Sequence, residues 1–263
     1  MLRSDITISE YTSRVIKDLT DKGMLFSYAT ARSYITATKV TQGLNARIPI
    51  ITYNGAAIVE NDTGRILAKN PFMEEQKKEI FWILLARGVC PIVYAYTGEK
   101  ETFSYVWEQC SDATKEFLLT RQGDVREHPV ESLVDLIKGD VFYFTCIDSC
   151  AKLERLYHQL KDKYHCIFHK DIYSGEQWLE IMPQHVSKAN AIAQLKEYLG
   201  ADYVVAFGDG KNDIEMFELA DEAYAVANAV EELKAIATDV IGSNDEDGVA
   251  RWLAERNYDE ECS

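Results

Sequence analysis

Residues 204–213 read Val204-Val205-Ala206-Phe207-Gly208-Asp209-Gly210-Lys211-Asn212-Asp213, and Ile214-Glu215-Met216-Phe217-Glu218-Leu219 follows directly. The apolar run from Val204 to Phe207 favours a strand, two glycines and two carboxylates end it, and the next residues have helical spacing. Strand, tight acidic turn, helix is how an open α/β sheet presents groups at its carboxyl edge, where ligands bind. Hard oxygen donors crowded there suit Mg²⁺. A plain glycine-rich turn, with Asp209 and Asn212 satisfying backbone donors, accounts for part of the pattern. Two carboxylates in so short a turn still repel each other unless cations offset them.

Working outward, the α/β alternation appears on both sides of a long interruption. Ser9 is placed to cap a helix whose apolar stripe is Tyr11, Val15, Ile16 and Leu19, and Gly23 ends it. Residues 24–30 read as a strand, 33–43 as a helix, and 48–53 as a strand running into Asn54-Gly55. A hairpin follows, with residues 57–60 and 65–68 flanking Asn61-Asp62-Thr63-Gly64. From about Pro71 the pattern changes. Helices near 74–87, 112–120, 130–138 and 151–161 accompany strands at 91–96, 103–107, 141–146, 164–168 and 177–182. That section reads as an antiparallel sheet with helices on one face. After Pro183 the alternation resumes: helix 187–199, strand 203–207, helix 213–219, strand 223–226 and a helix beyond Val230. The expected fold is α/β, a Rossmann-like core sheet built from residues 1–70 and 185–263, with an α+β domain inserted at 71–184.

Composition excludes several classes of function. The 263 residues carry a formal net charge of −15, against the basic face that a nucleic-acid binder needs. No apolar run approaches the ~20 residues of a membrane span, and Met1-Leu2-Arg3-Ser4-Asp5 does not resemble a signal peptide. Six cysteines (Cys90, Cys110, Cys146, Cys150, Cys166 and Cys262) form no paired framework and read as reduced thiols of a cytoplasmic protein. A small phosphorylated metabolite remains a suitable partner if cations are concentrated at its site; a monomer or homodimer is expected.

Two further stretches supply such groups. Thr30 ends its strand ahead of Ala31-Arg32-Ser33, where a hydroxyl and backbone N–H groups can hold an anion; helix capping by Thr30 or Ser33 is the plainer explanation. Lys188 follows Ser187 in the first turn of a helix with apolar stripe Ile192, Leu195 and Leu199. A cation there opposes the helix dipole by ~0.3–1 kcal/mol, a placement useful where an anion is to be held. Asn54-Gly55 reads as a turn at the same sheet edge, and Asn244 as a helix cap. His165, Cys166 and His169, with Cys146 and Cys150, lack the third and fourth ligands of a zinc site on a strand-like segment.

Taken together, Ala29-Thr30-Ala31-Arg32-Ser33, Thr52-Tyr53-Asn54-Gly55-Ala56, Ser187-Lys188 and Gly208-Asp209-Gly210-Lys211-Asn212-Asp213 resemble the haloacid dehalogenase superfamily, and within it the Cof-type sugar-phosphate phosphatases. The likeness runs along nearly the whole chain, through to Ser243-Asn244-Asp245-Glu246-Asp247-Gly248. It implies an inserted cap domain and Mg²⁺-dependent hydrolysis through an aspartyl-phosphate. By the same resemblance Thr30 holds the phosphoryl group, Lys188 neutralises the nucleophile and the transferring phosphate, Asp209 ligates Mg²⁺ and Asp213 supports the metal shell. Asn212 contacts phosphate, and Arg32, Asn54 and Gly55 line the site. Ala31 stands where the family usually has Gly. The resemblance also calls for a strand ending in Asp-x-Asp-Gly-Thr, whose carboxylates are nucleophile and general acid/base. Met1-Leu2-Arg3-Ser4-Asp5 matches the residues just after that motif, and Asp5 lacks both the apolar strand and the second Asp. The expectation is therefore a phosphatase whose residues 1–263 turn over little or nothing. A non-catalytic phosphate-binding protein is the alternative from another class; a phosphomutase shares the machinery, but no residue marks it out.

Overall fold

The computed structural model describes residues 1–44, 46–170 and 175–256; Cys262 lies outside them. The chain divides into two units, Met1–Ala68 with Ser187–Ser263, and Lys69–Val186.

In the first unit the opening half forms helices α1 (Glu10–Asp21) and α2 (Tyr34–Val40) and strands β1 (Ile50–Thr52), β2 (Ala57–Val59) and β3 (Ile66–Lys69, which runs one residue past the boundary). Serine hydroxyls start both helices: Ser9 accepts from the Thr12 N–H at 3.0 Å, and Ser33 from Thr36 N–H at 3.2 Å. Each satisfies a donor that has no partner inside its helix. β1 and β2 pair antiparallel around a tight turn at Tyr53–Gly55. Residues 24–30, expected as a strand, make a single parallel bridge, Ala29 to Ile51. Among the described residues their backbone bonds to β1 through Thr30 N–H to Ile51 O and Ile51 N–H to Tyr28 O, too few for a regular ladder.

The second unit contains α3 (Glu74–Ala86), β4 (Ile92–Thr97), β5 (Lys100–Tyr105), α4 (Asp112–Leu119), β6 (Glu127–Pro129), β7 (Asp140–Ile147), α5 (Cys150–Leu160), β8 (His165–Lys170) and β9 (Gln177–Met182). Its strands form one sheet in the order β6-β5-β4-β7-β9-β8, antiparallel except for the β5–β6 pair. The apolar faces of α3 and α5 cover one side: Ile80, Phe81, Leu84, Leu153 and Leu156 are all fully buried with Phe144, Cys146, Leu179 and Ile181. Two expectations change here. Residues 130–138 were expected to form an α-helix; only a 3₁₀ turn, Leu133–Ile137, forms, anchored by buried Leu136 and closed by Gly139 at φ 78°. β5 begins earlier than its apolar residues suggest, and Trp107 falls in a following 3₁₀ turn.

Beyond Val186 the first unit resumes with α6 (Lys188–Leu199), β10 (Val205–Gly208), α7 (Ile214–Leu219), β11 (Glu222–Val226), α8 (Glu231–Lys234), β12 (Asp239–Ile241) and α9 (Gly248–Glu255). β10, β11 and β12 pair in parallel in that order, which leaves β10 at the edge of its sheet. β12 escapes a sequence reading because Asp239-Val240-Ile241 is too short and exposed to show periodicity. The core of this unit gathers Ile16 of α1, Phe217 of α7, Ala225 and Val226 of β11, Leu233 of α8, and Val249 and Leu253 of α9.

Candidate active site

The turn after β10 is fixed by crowding. A Cβ added to Gly208 would lie 2.8 Å from Asp213 Cβ, Asp213 Oδ2 and a Phe217 ring carbon, so no side chain fits there. The backbone folds back so that Asp209 N–H and Gly210 N–H both donate to Asp213 Oδ2 at 3.0 Å. Asp213 Oδ1 accepts from Lys188 Nζ at 2.6 Å. Both partners are nearly sealed from water, Lys188 at 7% exposure and Asp213 at 3%. Lys188 reaches this position from the first turn of α6, whose start is set by Ser187 accepting from Asn190 N–H.

A second tight turn, Tyr53–Gly55, follows β1. Tyr53 and Asn54 both adopt positive φ, 50° and 53°, and Gly55 follows at 106°. Gly55 is required twice over: its φ disfavours other residues, and a Cβ would come within 2.2 Å of Ser187 O. The close approach brings this turn against the start of α6. There buried Asn54 accepts, through Oδ1, from Asn212 Nδ2 at 3.1 Å. Asn54 N–H in turn donates to Thr30 O at 2.9 Å, and Tyr53 N–H to Arg32 O at 3.1 Å. Thr30 Oγ1 accepts from Arg32 N–H at 3.1 Å, which leaves its own O–H free to rotate and donate. Thus Ser33 caps α2, as the plainer reading had it, and Thr30 closes the turn just before it.

These contacts bring Thr30, Arg32, Asn54, Gly55, Lys188, Asn212 and Asp213 into one neighbourhood at the ends of residues 24–30, β1 and β10, with Asp209 in the connecting turn. Thr30, Arg32, Lys188, Asp209 and Asp213 share the wall of one cavity of about 400 Å³. The arrangement presents a hydroxyl and an ammonium in one cavity wall, which suits holding an anion.

The metal donor set is thinner than the two carboxylates suggest. Asp213 spends both oxygens on Lys188 and the turn, so Asp209 is the carboxylate of the pair that faces outward. Among the described residues no three His, Cys, Asp or Glu side chains lie close enough to hold a metal. The residues present fit a water-rich Mg²⁺ held by one carboxylate together with phosphate oxygens, an arrangement Mg²⁺ accepts. They do not make a preformed cradle of three protein ligands. His165 and His169 lie on β8; His165 Nδ1 bonds Val186 O, and His169 Nδ1 stands 4.0 Å from Glu180. Burial pushes the Glu180 carboxyl up, against the opposing influence of Tyr143 and the two histidines.

One structural role was not visible beforehand. Asn244, expected to cap a helix, instead donates through Nδ2 to Leu2 O at 2.9 Å. Asp245 accepts from Ser4 N–H and Oγ at 2.8 and 2.7 Å. Buried Asp247, at φ 57°, accepts from Arg3, Ser9 Oγ and Thr12 Oγ1. Burial pushes its carboxyl up, but the bonds from Ser9, Arg3 and Thr12 outweigh that and hold it below the ordinary range. Gly248 is obligatory, since a Cβ would strike Gly242 O at 1.8 Å. The segment is a clasp for residues 2–12, and sequence separation of about 240 hides it. Among the described residues Asp5 bonds locally, to Thr7 N–H and Oγ1.

Known proteins resemble this chain over nearly its whole length. A phosphatase of Bacillus subtilis, YwtE, named for 5-amino-6-(5-phospho-D-ribitylamino)uracil, is 27% identical over 96% of this chain and 93% of its own. A putative phosphatase of Haemophilus influenzae is 27% identical over 97% and 94%. The crystal structure of TM0651 from Thermotoga maritima superposes with a TM-score of 0.77 at 27% identity, covering 97% of this chain and 92% of that one. A haloacid dehalogenase-like hydrolase from Bacillus subtilis shares the fold at a TM-score of 0.75. Residues 1–253 match the haloacid dehalogenase-like hydrolases throughout, and the chain belongs to that family.

Proposed function

We propose that this phosphatase-family protein acts on small phosphorylated metabolites, sugar phosphates or similar, with Mg²⁺ as cofactor. The observation that carries the reading is the buried Lys188 ammonium, fixed by Asp213 in the cavity wall it shares with Thr30, Arg32 and Asp209. Lys188 offers positive charge to a phosphoryl group without a conformational search, because Asp213 and the turn already hold it. Thr30 O–H donates to a phosphate oxygen, Arg32 adds a second cation, and Asn212, oriented by Asn54, places its amide at the same edge. Bound through Asp209, Mg²⁺ would supply charge neutralisation at the phosphoryl oxygens.

The family chemistry runs through an aspartyl-phosphate, which splits hydrolysis into two displacements. Asp213 is engaged with Lys188, and Asp5 turns to Thr7. Neither stands free as a nucleophile, which supports a binding role with little turnover for residues 1–263 alone. Calorimetric titration with inorganic phosphate and a sugar phosphate should show Mg²⁺-enhanced binding that Lys188→Met abolishes. Phosphate release from an aryl phosphate should stay near background. Rapid Mg²⁺-dependent release, lost on Asp209→Ala, would refute the low-turnover expectation; binding unaffected by Lys188→Met would refute the site.

A further inference from the structure

We propose that Cys90 and Cys110 form a site of oxidative modification, a thiol pair that a small hydroperoxide converts to an intramolecular disulfide across the open end of the β4–β5 hairpin. The hairpin itself brings them together. β4 and β5 pair antiparallel, with Val93 opposite Ser104. Continued past its last pair, that register sets Cys90 level with Trp107, just beyond the end of β5. The chain then turns back. Trp107–Gln109 form a 3₁₀ turn, in which Gln109 N–H donates to Val106 O at 3.0 Å and Cys110 N–H to Trp107 O at 3.2 Å. The turn returns Cys110 to the strand end, where its Sγ donates to Val106 O at 3.3 Å. There the two thiols are hydrogen-bonded to each other. Cys90 packs in the apolar core beneath α3 and α5, and Cys110 in a second cluster with Ile92, Phe103, Tyr105 and Leu118. The pair thus lies where two apolar clusters meet, at 8% and 6% exposure, and both thiols are free.

The two sulfurs are unequal, as disulfide formation requires. The bond from Cys110 holds the Cys90 thiol below the usual thiol range against the opposing effect of burial, and the Val106 backbone adds to it. The same bond pushes the Cys110 thiol up, and burial acts in the same direction. Cys90 is therefore the nucleophile and Cys110 the resolving thiol. The Cys90 sulfur attacks one oxygen of the hydroperoxide and the O–O bond breaks. The other oxygen leaves with the Cys90 proton, as water or an alcohol, and Cys90 becomes a sulfenic acid. The Cys110 sulfur then attacks the Cys90 sulfur, and the departing hydroxyl takes the Cys110 proton as water. Both sulfurs are oxidised and the hydroperoxide is reduced. Oxidation strands no buried donor, because both S–H groups are consumed, and Val106 O keeps the Gln109 N–H. The new bond closes a loop that the sheet already holds closed, so it constrains the unfolded chain more than the folded one. Cys146 and Cys166 differ: burial pushes the first well up and the second up to about 12, which makes both poor nucleophiles.

The test treats the full, folded chain with hydrogen peroxide. Digestion without reductant, followed by mass spectrometry, should find the Cys90 and Cys110 peptides joined. The joined species should be lighter by two hydrogen atoms than its separate parts, and dithiothreitol should release them. Cys110→Ala should leave a sulfenic acid on Cys90 that dimedone traps, and Cys90→Ala should cut dimedone capture at the pair by about tenfold or more. The oxidised chain should melt at least ~4 °C above the reduced one, a gain that dithiothreitol reverses. Should either Ala variant fail to fold, the cross-link map of the unaltered chain still decides. No cross-link, pairing of Cys90 or Cys110 with any other cysteine, a disulfide between chains, or pairing only after urea unfolds the protein would each overturn the assignment. Dimedone on Cys110 rather than Cys90, or a Tm that oxidation leaves unchanged, would overturn it as well.

Discussion

Replacing Lys188 by Met probes the site most directly. The ammonium lies 2.6 Å from Asp213 Oδ1, with the two residues 7% and 3% exposed. Removing one partner of a buried ion pair costs roughly 3–5 kcal/mol, because the other charge stays in the core. Asp213 keeps two backbone donors, from Asp209 and Gly210, and Met refills most of the vacated volume. Lys188→Met should therefore fall at the lower end, about 3 kcal/mol. Asp213→Ala strands the ammonium and also removes the acceptor of two N–H groups, at ~1–3 kcal/mol for each one shut from water. It should cost at least ~2 kcal/mol more than Lys188→Met. The assay is urea unfolding followed by Trp252 emission, with Trp82, Trp107 and Trp178, all of the inserted unit, changed to Phe. A Lys188→Met protein within ~0.5 kcal/mol of its parent, or one less stable than Asp213→Ala, would refute the reasoning.

Three other outcomes follow from the same geometry. Gly55→Ala places a Cβ 2.2 Å from Ser187 O at φ 106°; it should lower stability by about 2 kcal/mol or more, and calorimetric titration should show weaker phosphate binding as Asn54 moves away from Asn212. Asp247 has its folded pKa below its unfolded value of about 3.9. Its stabilisation is thus complete above that pH and lost as pH falls through the depressed value, so the stability gap to Asp247→Asn should close in acid denaturation below about pH 4. Among the described cysteines Cys150 is exposed, whereas burial pushes the Cys146 thiol well up; mass mapping after brief alkylation should find Cys150 modified first and Cys146 only on unfolding.

Much of this was legible because it is local. Ser9, Ser33 and Ser187 announce their helices through hydroxyls three residues from the N–H groups they accept from. The glycines of the 208–213 turn mark where a side chain has no room. One reading failed for a physical reason. Residues 24–30 have a strand's composition, but a ladder depends on neighbours, and among the described residues they bridge β1 alone, through Ala29 and Ile51. Which of the two carboxylates turns inward is set by the 3₁₀ turn at Lys211–Asp213, which swings Asp213 back onto the N–H groups of Asp209 and Gly210. The clasp of Asn244, Asp245 and Asp247 on residues 2–12 pairs distant polar groups, and no periodicity encodes it.

The division of the chain at Ala68 and Ser187 has a consequence for synthesis. Lys69–Val186 is contiguous, and its buried core draws on that stretch alone, so it can fold as soon as it clears the ribosome. The unit that holds the site cannot. Ile16 waits for Phe217 and Leu253, Asn54 for Asn212, and Arg3 for Asp247. Throughout translation of the insert, the first 68 residues are a nascent segment without a partner for their apolar face. Chaperone dependence should concentrate in that interval, and a ribosome stalled before residue 187 should present a finished inserted unit beside a protease-sensitive amino-terminal segment.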